Sequence, residues 1–497
     1  MKKWALPLLL FVGIQLKAQP PSKNGKSDFP PAFTAILQHD LHDDLYRLAS
    51  NTFRGRRACT IDELNGAAWI AEQARKAGLQ PAGDNGTYFQ FFPIQRAVVD
   101  EKSSIQINNK NFVLWKDAWV TEPIDVNLDN NIMWLSSIAD TAKPDINGSV
   151  VAMKILPPSS MPPSWMSLWG VRYVFAALEQ QVGLLKKRGA KAVIIVADSI
   201  TDAALESMEH EVDFETGSYE IGNDHRYTLN LGLPVILVRA NEATGLQQPN
   251  ATIKAGIKSN HFTYPSVNVV AKVPGTDINL KKEYLLYSGH HDHEGVGQAI
   301  AGDSIWNGAD DNGSVCVALL AIGRAFTKHP AQRSVLFVWH GAEERGLIGS
   351  RWYAAHPTVR KEDIIAVING DMIGRNNPDS AALLGVTRPH RNSKDLADAA
   401  FRANQIAGHF KIDTSWDSPN HPEFWYYRSD HVSYVLQGIP SIYFSTLLHR
   451  DYHTPKDEAN RIDYPKLKRM TDWMYATGWI IANGAKRPAV DVALDIK

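Results

Sequence analysis

From Ser266 onward the chain alternates apolar runs of strand length with helical patterns, and histidines and carboxylates stand just beyond those runs. The apolar runs are 285–287, 334–339, 364–368 and 439–444, and helical periodicity falls between and after them, over 314–328, 347–355, 393–406 and 464–483. Runs apolar along their whole length suit strands buried on both faces. The alternation therefore predicts an α/β fold with a mainly parallel central sheet and helices on both faces. In such folds chemistry collects beyond the carboxyl ends of the strands.

Five residues occupy those ends: His290, Asp311, Glu344, Asp371 and His453. Two imidazoles and three carboxylates are a ligand set for two divalent ions that share one carboxylate, an arrangement that activates water and clamps a reacting carbonyl. Asp311 is a natural bridge, because a short carboxylate can give one oxygen to each ion; Asp310 competes with it on equal terms. Glu343 and Glu344 repel one another as free side chains. Beside metal, one can ligate while its neighbour takes a proton from water. His290 and His291 are both possible imidazole ligands, and Asp292 is placed to orient His290 through its second nitrogen. His449, Asp451 and His453 crowd the loop after 439–444; His453 is the preferred ligand, with His449 at the surface or facing substrate. The Tyr452 phenol can donate to an oxyanion, although an aromatic packed beneath the loop explains it as well. Ser429-Asp-His431 has no nucleophile elbow around its serine and is not a triad.

At 497 residues the chain is too long for one ordinary core, so two domains are expected. A formal net charge of -1 gives no field that would recruit nucleic acid or an anionic membrane. Lys2 and Lys3, the apolar stretch 8–12 and a small residue at Ala18 read as a secretory signal over 1–18, so a secreted or periplasmic protein is expected. No later run approaches the roughly 20 apolar residues of a membrane span. Cys59 and Cys316 are too few for a disulfide framework, and Cys316, on an apolar helical pattern, reads as an inert core thiol.

Ahead of the alternating region, 40–49 and 60–77 have helical spacing, and Thr60 with Glu63 forms a capping-box pattern that Gly78 closes. Strands are expected over 88–94 and 104–115. From about 120 to 262 the texture changes to short β-type runs at 150–155, 192–196 and 234–238, one helix at about 172–188 and a Pro/Ser/Trp-rich loop at 157–170. His210 and His225 in this stretch read as solvated surface residues, and the region as an inserted non-catalytic module.

The five ligand motifs, in this order, resemble the M28 family of zinc peptidases, which includes aminopeptidases and glutamate carboxypeptidases. Phe53-Arg-Gly-Arg56, Gly78-Leu-Gln-Pro81 and Ser266-Val-Asn-Val-Val270 add to the likeness, and the middle region resembles a protease-associated (PA) domain. The resemblance implies catalytic parts at 19–118 and 264–497 around a PA-like, β-rich insert at 119–263. It also implies two zinc ions per chain: His290 and Asp371 on one, Glu344 and His453 on the other, and Asp311 between them. Under it Glu343 is the general base, Asp292 the partner of His290, and Tyr452 an oxyanion donor. Peptides are the implied substrates, with an aminopeptidase preferred over a carboxypeptidase. A single-zinc, glutaminyl-cyclase-like acyltransferase and a non-catalytic receptor-like protein are the alternatives. Arg375, Arg388, Arg428 and Arg450 lie near the motifs, and the sequence does not say which of them face a substrate.

Overall fold

In the computed structural model, residues 30–138, 145–161, 163–205, 212–213, 218–221 and 231–491 are described. The expected signal at 1–18, and His210 and His225, lie outside the described residues. Five strands carry the candidate site: β1 (Ser259–Val273), β2 (Tyr284–His290), β3 (Ser334–His340), β4 (Ile364–Gly370) and β5 (Ser441–Ser445). They lie side by side in the order β5-β4-β2-β3-β1. β2 pairs in parallel with both β3 and β4, and β4 with β5, so the carboxyl ends of four strands open on one edge.

The complete sheet has 11 strands and is mixed rather than mainly parallel. β1 runs antiparallel to β3 and also to Phe89–Val99, in register from Ser259 opposite Val99 to Val269 opposite Phe89. The cause is the chain's route. Phe89–Val99 leaves for a second sheet and β1 returns from it, so the two run alongside in opposite directions. Ser380–Leu384 likewise lies antiparallel to β5.

β3, β4 and β5 are buried along their whole length, as their continuous apolar character requires. On one face, Val315–Lys328 packs Val317, Leu320 and Ala321 against the sheet and against Met470 and Trp473 of Tyr464–Asn483. On the other, Leu286, Leu336, Val338 and Val367 meet Tyr353 and Tyr434. Each fully buried large apolar side chain here contributes about 1.5–3 kcal/mol. The N-terminal helices Gln38–Leu48 and Ile61–Lys76 join the first core through Leu41, Leu45, Ile70 and Ala74. Thr60 caps the second helix by accepting from Asp62 N and Glu63 N. The capping box is not reciprocal: the Glu63 carboxylate accepts instead from Cys59 N and the Ser266 hydroxyl, tying the helix to β1.

A second sheet of eight strands is built between 104 and 257. It takes in Ser104–Ile107 and Lys110–Phe112, ahead of the expected boundary at 119. Asn108 and Asn109 both adopt positive φ, 48° and 62°, and fold the expected strand 104–115 into a hairpin. Ile105, Ile107 and Phe112 then bury in this sheet's own core. At its centre Val150–Lys154, Ala192–Val196 and Val235–Val238 are parallel, and Trp169–Lys187 packs across them. The approach to that helix reaches the first sheet's unit: Ser167 N and Oγ donate to the Glu423 carboxylate at 2.7 and 2.8 Å.

No helix among the described residues is long and apolar enough to cross a membrane. Cys59 and Cys316 are both buried, and neither forms a disulfide among the described residues. The Cys316 thiol donates to the His290 carbonyl, and burial pushes its pKa up to about 12, as an inert core thiol requires.

Candidate metal centre

Each expected ligand comes from a strand end or the loop beyond it. His290 is the last residue of β2; Glu343 and Glu344 follow β3; Asp371 follows β4; His453 lies in the loop after β5. Asp311 sits in the irregular turn Ala309–Ser314 that opens Val315–Lys328. The backbone N–H groups of Asp310 and Asp311 both donate to the buried Asp457 carboxylate at 3.0 Å, which fixes this turn.

Asp311 divides its two oxygens. Oδ1 is 3.2 Å from His290 Nε2 and Oδ2 is 3.1 Å from His453 Nε2. On the His290 side stand Asp371 Oδ2 at 3.6 Å and Glu343 Oε2 at 3.8 Å from the same nitrogen. On the His453 side stands Glu344 Oε2 at 3.3 Å. The possible ligand atoms gather in two groups, His290 with Glu343 and Asp371, and His293 with Asp311, Glu344 and His453, each spanning no more than 4.8 Å. His293 is the member that sequence reasoning missed. Its Nδ1 is 2.9 Å from Glu344 Oε1, and its ring meets that of His453 edge-on. A third histidine within four residues of a buried strand's end was the available signal.

The support around these atoms separates the duplicated candidates. Asp292 accepts from Glu343 N at 3.0 Å and from Glu344 N at 3.3 Å, and its Oδ1 is 3.6 Å from His290 Nδ1. Its carboxylate therefore holds the Glu343–Glu344 turn, and its backbone carbonyl accepts from His290 Nδ1 at 3.2 Å. Asp310 turns away, accepting from Gly374 N at 2.6 Å. His291 meets the Val267 carbonyl instead, and burial lowers its pKa to about 4. The Ser429 hydroxyl donates to Asp371 Oδ2 at 2.8 Å, while His431 is stacked on Tyr443 and forms no triad with it. His449 is half-buried, with its side chain covered and Nε2 3.4 Å from Asp310 Oδ2.

The two adjacent glutamates part electrostatically. Burial, reinforced by Glu344 and Asp371 against the pull of His290, holds Glu343 well above the usual carboxylate range. Burial and Asp311 also push Glu344 up, but His453 and His293 outweigh them and bring it to about 2. Burial raises Asp371 to about 6. His453 is driven to about 10 because Glu344 and Asp311 overcome its burial. Of the two, Glu343 has the higher proton affinity, as a carboxylate that takes up a proton during a reaction needs, while Glu344 is the one held ionised. Tyr452 stacks on His453 with ring centres 3.7 Å apart, and its hydroxyl accepts from Arg428 Nη2 at 2.8 Å. Burial raises this phenol well above its ordinary pKa, so it keeps a proton to donate.

The geometry has known counterparts, since residues 268–478 match the sequence profile of peptidase family M28. Over that segment the chain is similar to M28 peptidases. It is 30% identical over 192 residues to the probable leucine aminopeptidase 2 of Aspergillus oryzae, covering 37% of this chain and 34% of that protein. It is 25% identical over 267 residues to aminopeptidase YwaD of Bacillus subtilis, covering 52% and 53% respectively. The chain thus spans about a third to a half of the length of these curated relatives. Among solved structures, an aminopeptidase from Aneurinibacillus sp. strain AM-1 superposes with TM-score 0.56 at 21% identity, over 95% of this chain and 99% of that one. BSAP, a zinc aminopeptidase from Bacillus subtilis, gives 0.57 at 19% identity, over 93% and 99%. These two likenesses are of fold, and they extend across both sheets.

Proposed function

We propose that this protein is a di-zinc aminopeptidase that hydrolyses the peptide bond next to a free amino terminus. The observation that carries the reading is Asp311, whose two oxygens face His290 on one side and His453 on the other. The residues fit a pair of divalent ions. His290 Nε2 and His293 Nε2 are buried and make no hydrogen bond among the described residues, which is costly unless a ligand completes them. Imidazoles with carboxylates suit zinc and also admit cobalt or manganese. His290 and Asp371 would hold one ion, Glu344 and His453 the other, with Asp311 between and His293 beside the second.

When bound, two such ions polarise a carbonyl and lower the pKa of water. Glu343 takes the proton of the attacking water and returns it to the leaving amine. Asp292 keeps His290 and the Glu343–Glu344 turn in place, and Ser429 keeps Asp371 in place. Tyr452, steadied by Arg428, donates its proton in a hydrogen bond to the oxyanion that forms at the scissile carbon. The second sheet is read as the PA-like insert, supported by its separate core and its place between the two parts of the first sheet. Export is inferred from the leader-like start of the sequence.

The test is turnover of leucine p-nitroanilide and of peptides with free or acetylated amino termini, together with metal content. Two zinc ions per chain, loss of turnover on chelation with recovery on zinc addition, and no cleavage of the acetylated peptides are expected. Equal cleavage of free and acetylated peptides would overturn the aminopeptidase reading. One bound ion per chain would move the assignment to a cyclase-like acyltransferase.

A further inference from the structure

A cavity of about 700 Å³ opens beside the metal centre, within the size range of small-ligand sites. Tyr452 forms part of its wall and is stacked on His453, so the cavity and the centre share one side chain. Another part of the wall comes from the second sheet's unit: Trp165, Ser167 and Leu168 lie in the Pro/Ser/Trp-rich loop, held down by Glu423. Trp165 is 61% exposed and supplies an apolar face together with Leu168 and Leu448.

The cavity is lined by two arginines and by no carboxylate. Arg375 is paired through Nη2, 2.6 Å from Asp451 Oδ2, while its buried Nη1, 3.9 Å from Asp457 Oδ1, makes no hydrogen bond among the described residues. The nearby Arg428 is committed to Glu423 and Tyr452. Arg450 is different. It is exposed at the cavity and makes no ion pair among the described residues. A partly enclosed space with an apolar wall, an unneutralised guanidinium and no acid selects an anion attached to an apolar body.

Resting on the aminopeptidase reading above, we infer that this cavity takes the C-terminal carboxylate of di- and tripeptides, with Arg450 as its partner and Trp165 and Leu168 against the adjoining side chain. An extended peptide advances about 3.3–3.6 Å per residue, so only a chain with one or two residues beyond the scissile bond ends near the centre. The protein would then be a finisher of short peptides. The second sheet's loop serves as a wall of the substrate site rather than as a distant appendage.

The experiment compares kcat/KM of the zinc-loaded enzyme for Leu-Leu, Leu-Leu-amide and Leu-Glu-amide, with leucine p-nitroanilide as the reference. Leu-Leu is expected to exceed its amide by about tenfold, the order of one charge-assisted hydrogen bond. Arg450→Gln should bring that ratio close to one, and Arg450→Glu should invert it. Equal rates for acid and amide in the unmodified enzyme, a measurement that needs no variant, would overturn the inference. So would a ratio that persists in Arg450→Gln. If Leu-Glu-amide matches Leu-Leu, a side-chain carboxylate is the ligand and the C-terminal assignment falls. Absence of p-nitroanilide turnover would instead sink the aminopeptidase reading itself, which keeps the two failures apart.

Discussion

Glu343 and Glu344 are neighbours in the chain, yet burial and their different imidazoles drive their proton affinities in opposite directions. Glu343 lies at the longest of the His290 Nε2 distances, 3.8 Å, where a base that also touches water belongs. Replacing Glu343 by Gln should therefore leave metal content intact while lowering turnover by about 10²–10⁴; near-normal turnover would remove it from the role of base. His293→Ala should act the other way round. It removes the imidazole beside Glu344, so metal affinity should fall by about 10–100-fold in a chelator competition. Unchanged affinity would make His293 a packing residue. All eight residues expected at the site converge in space. The choice of Asp311 over Asp310, and of His290 over His291, was not legible from residue type. Backbone direction sets them apart in space, sending Asp310 to Gly374 N and His291 to the Val267 carbonyl. His293 escaped for a related reason: one histidine next to an aspartate looks like any polar loop residue until the fold shows it buried.

At the scale of elements, the periodic segments were the legible ones. Helices expected at 314–328, 347–355 and 464–483 form Val315–Lys328, Ile348–Ala355 and Tyr464–Asn483, because their apolar faces meet a sheet at 3.6-residue spacing. The hairpin at Asn108–Asn109 was not seen, since paired asparagines at positive φ are a turn signal only once both flanking strands are known. The Pro/Ser/Trp-rich loop was unreadable for a deeper reason: its partner, Glu423, lies more than 250 residues away. That carboxylate is buried and receives Ser167, Arg172 at 3.1 Å and Arg428 at 2.8 Å. Glu423→Ala would strand two guanidinium groups and loosen the hold of Arg428 on Tyr452. Both arginines keep some contact with water, so a stability loss of about 1–3 kcal/mol is expected. Chymotrypsin should also cut more rapidly at Trp165. Unaltered cleavage would show that the loop is held by something other than this carboxylate.

For the whole molecule, a formal net charge of -1 conceals how acidity is distributed. Asp311, Glu343, Glu344 and Asp371 converge on the centre, and Asp430, also buried, is pushed up to about 7 chiefly by desolvation. Without cations, protons have to offset this charge, which is why His290 is raised well above its ordinary pKa and His453 to about 10. The sign follows by linkage. A histidine raised in the folded state contributes stability that is complete below its unfolded pKa and is lost as pH rises toward 10. Asp430 acts in the same direction, losing its contribution as pH passes through about 7. The buried histidines His291 and His431 are lowered to about 4 and 3 by desolvation, so their contribution is complete by pH 7. Lys466, lowered to about 8 by burial, opposes the trend only above that value. Metal-stripped protein should therefore lose thermal stability between pH 7 and 9, by on the order of 1 kcal/mol per pH unit. Zinc-loaded protein should lose less, because bound cations take over the compensation that protons provide. Thermal unfolding of both forms at pH 7, 8 and 9 measures the difference. A metal-stripped form that grows more stable with rising pH would mean that the acids of this centre are balanced by fixed charges elsewhere in the fold, and not by the ions that the two ligand groups are built to receive.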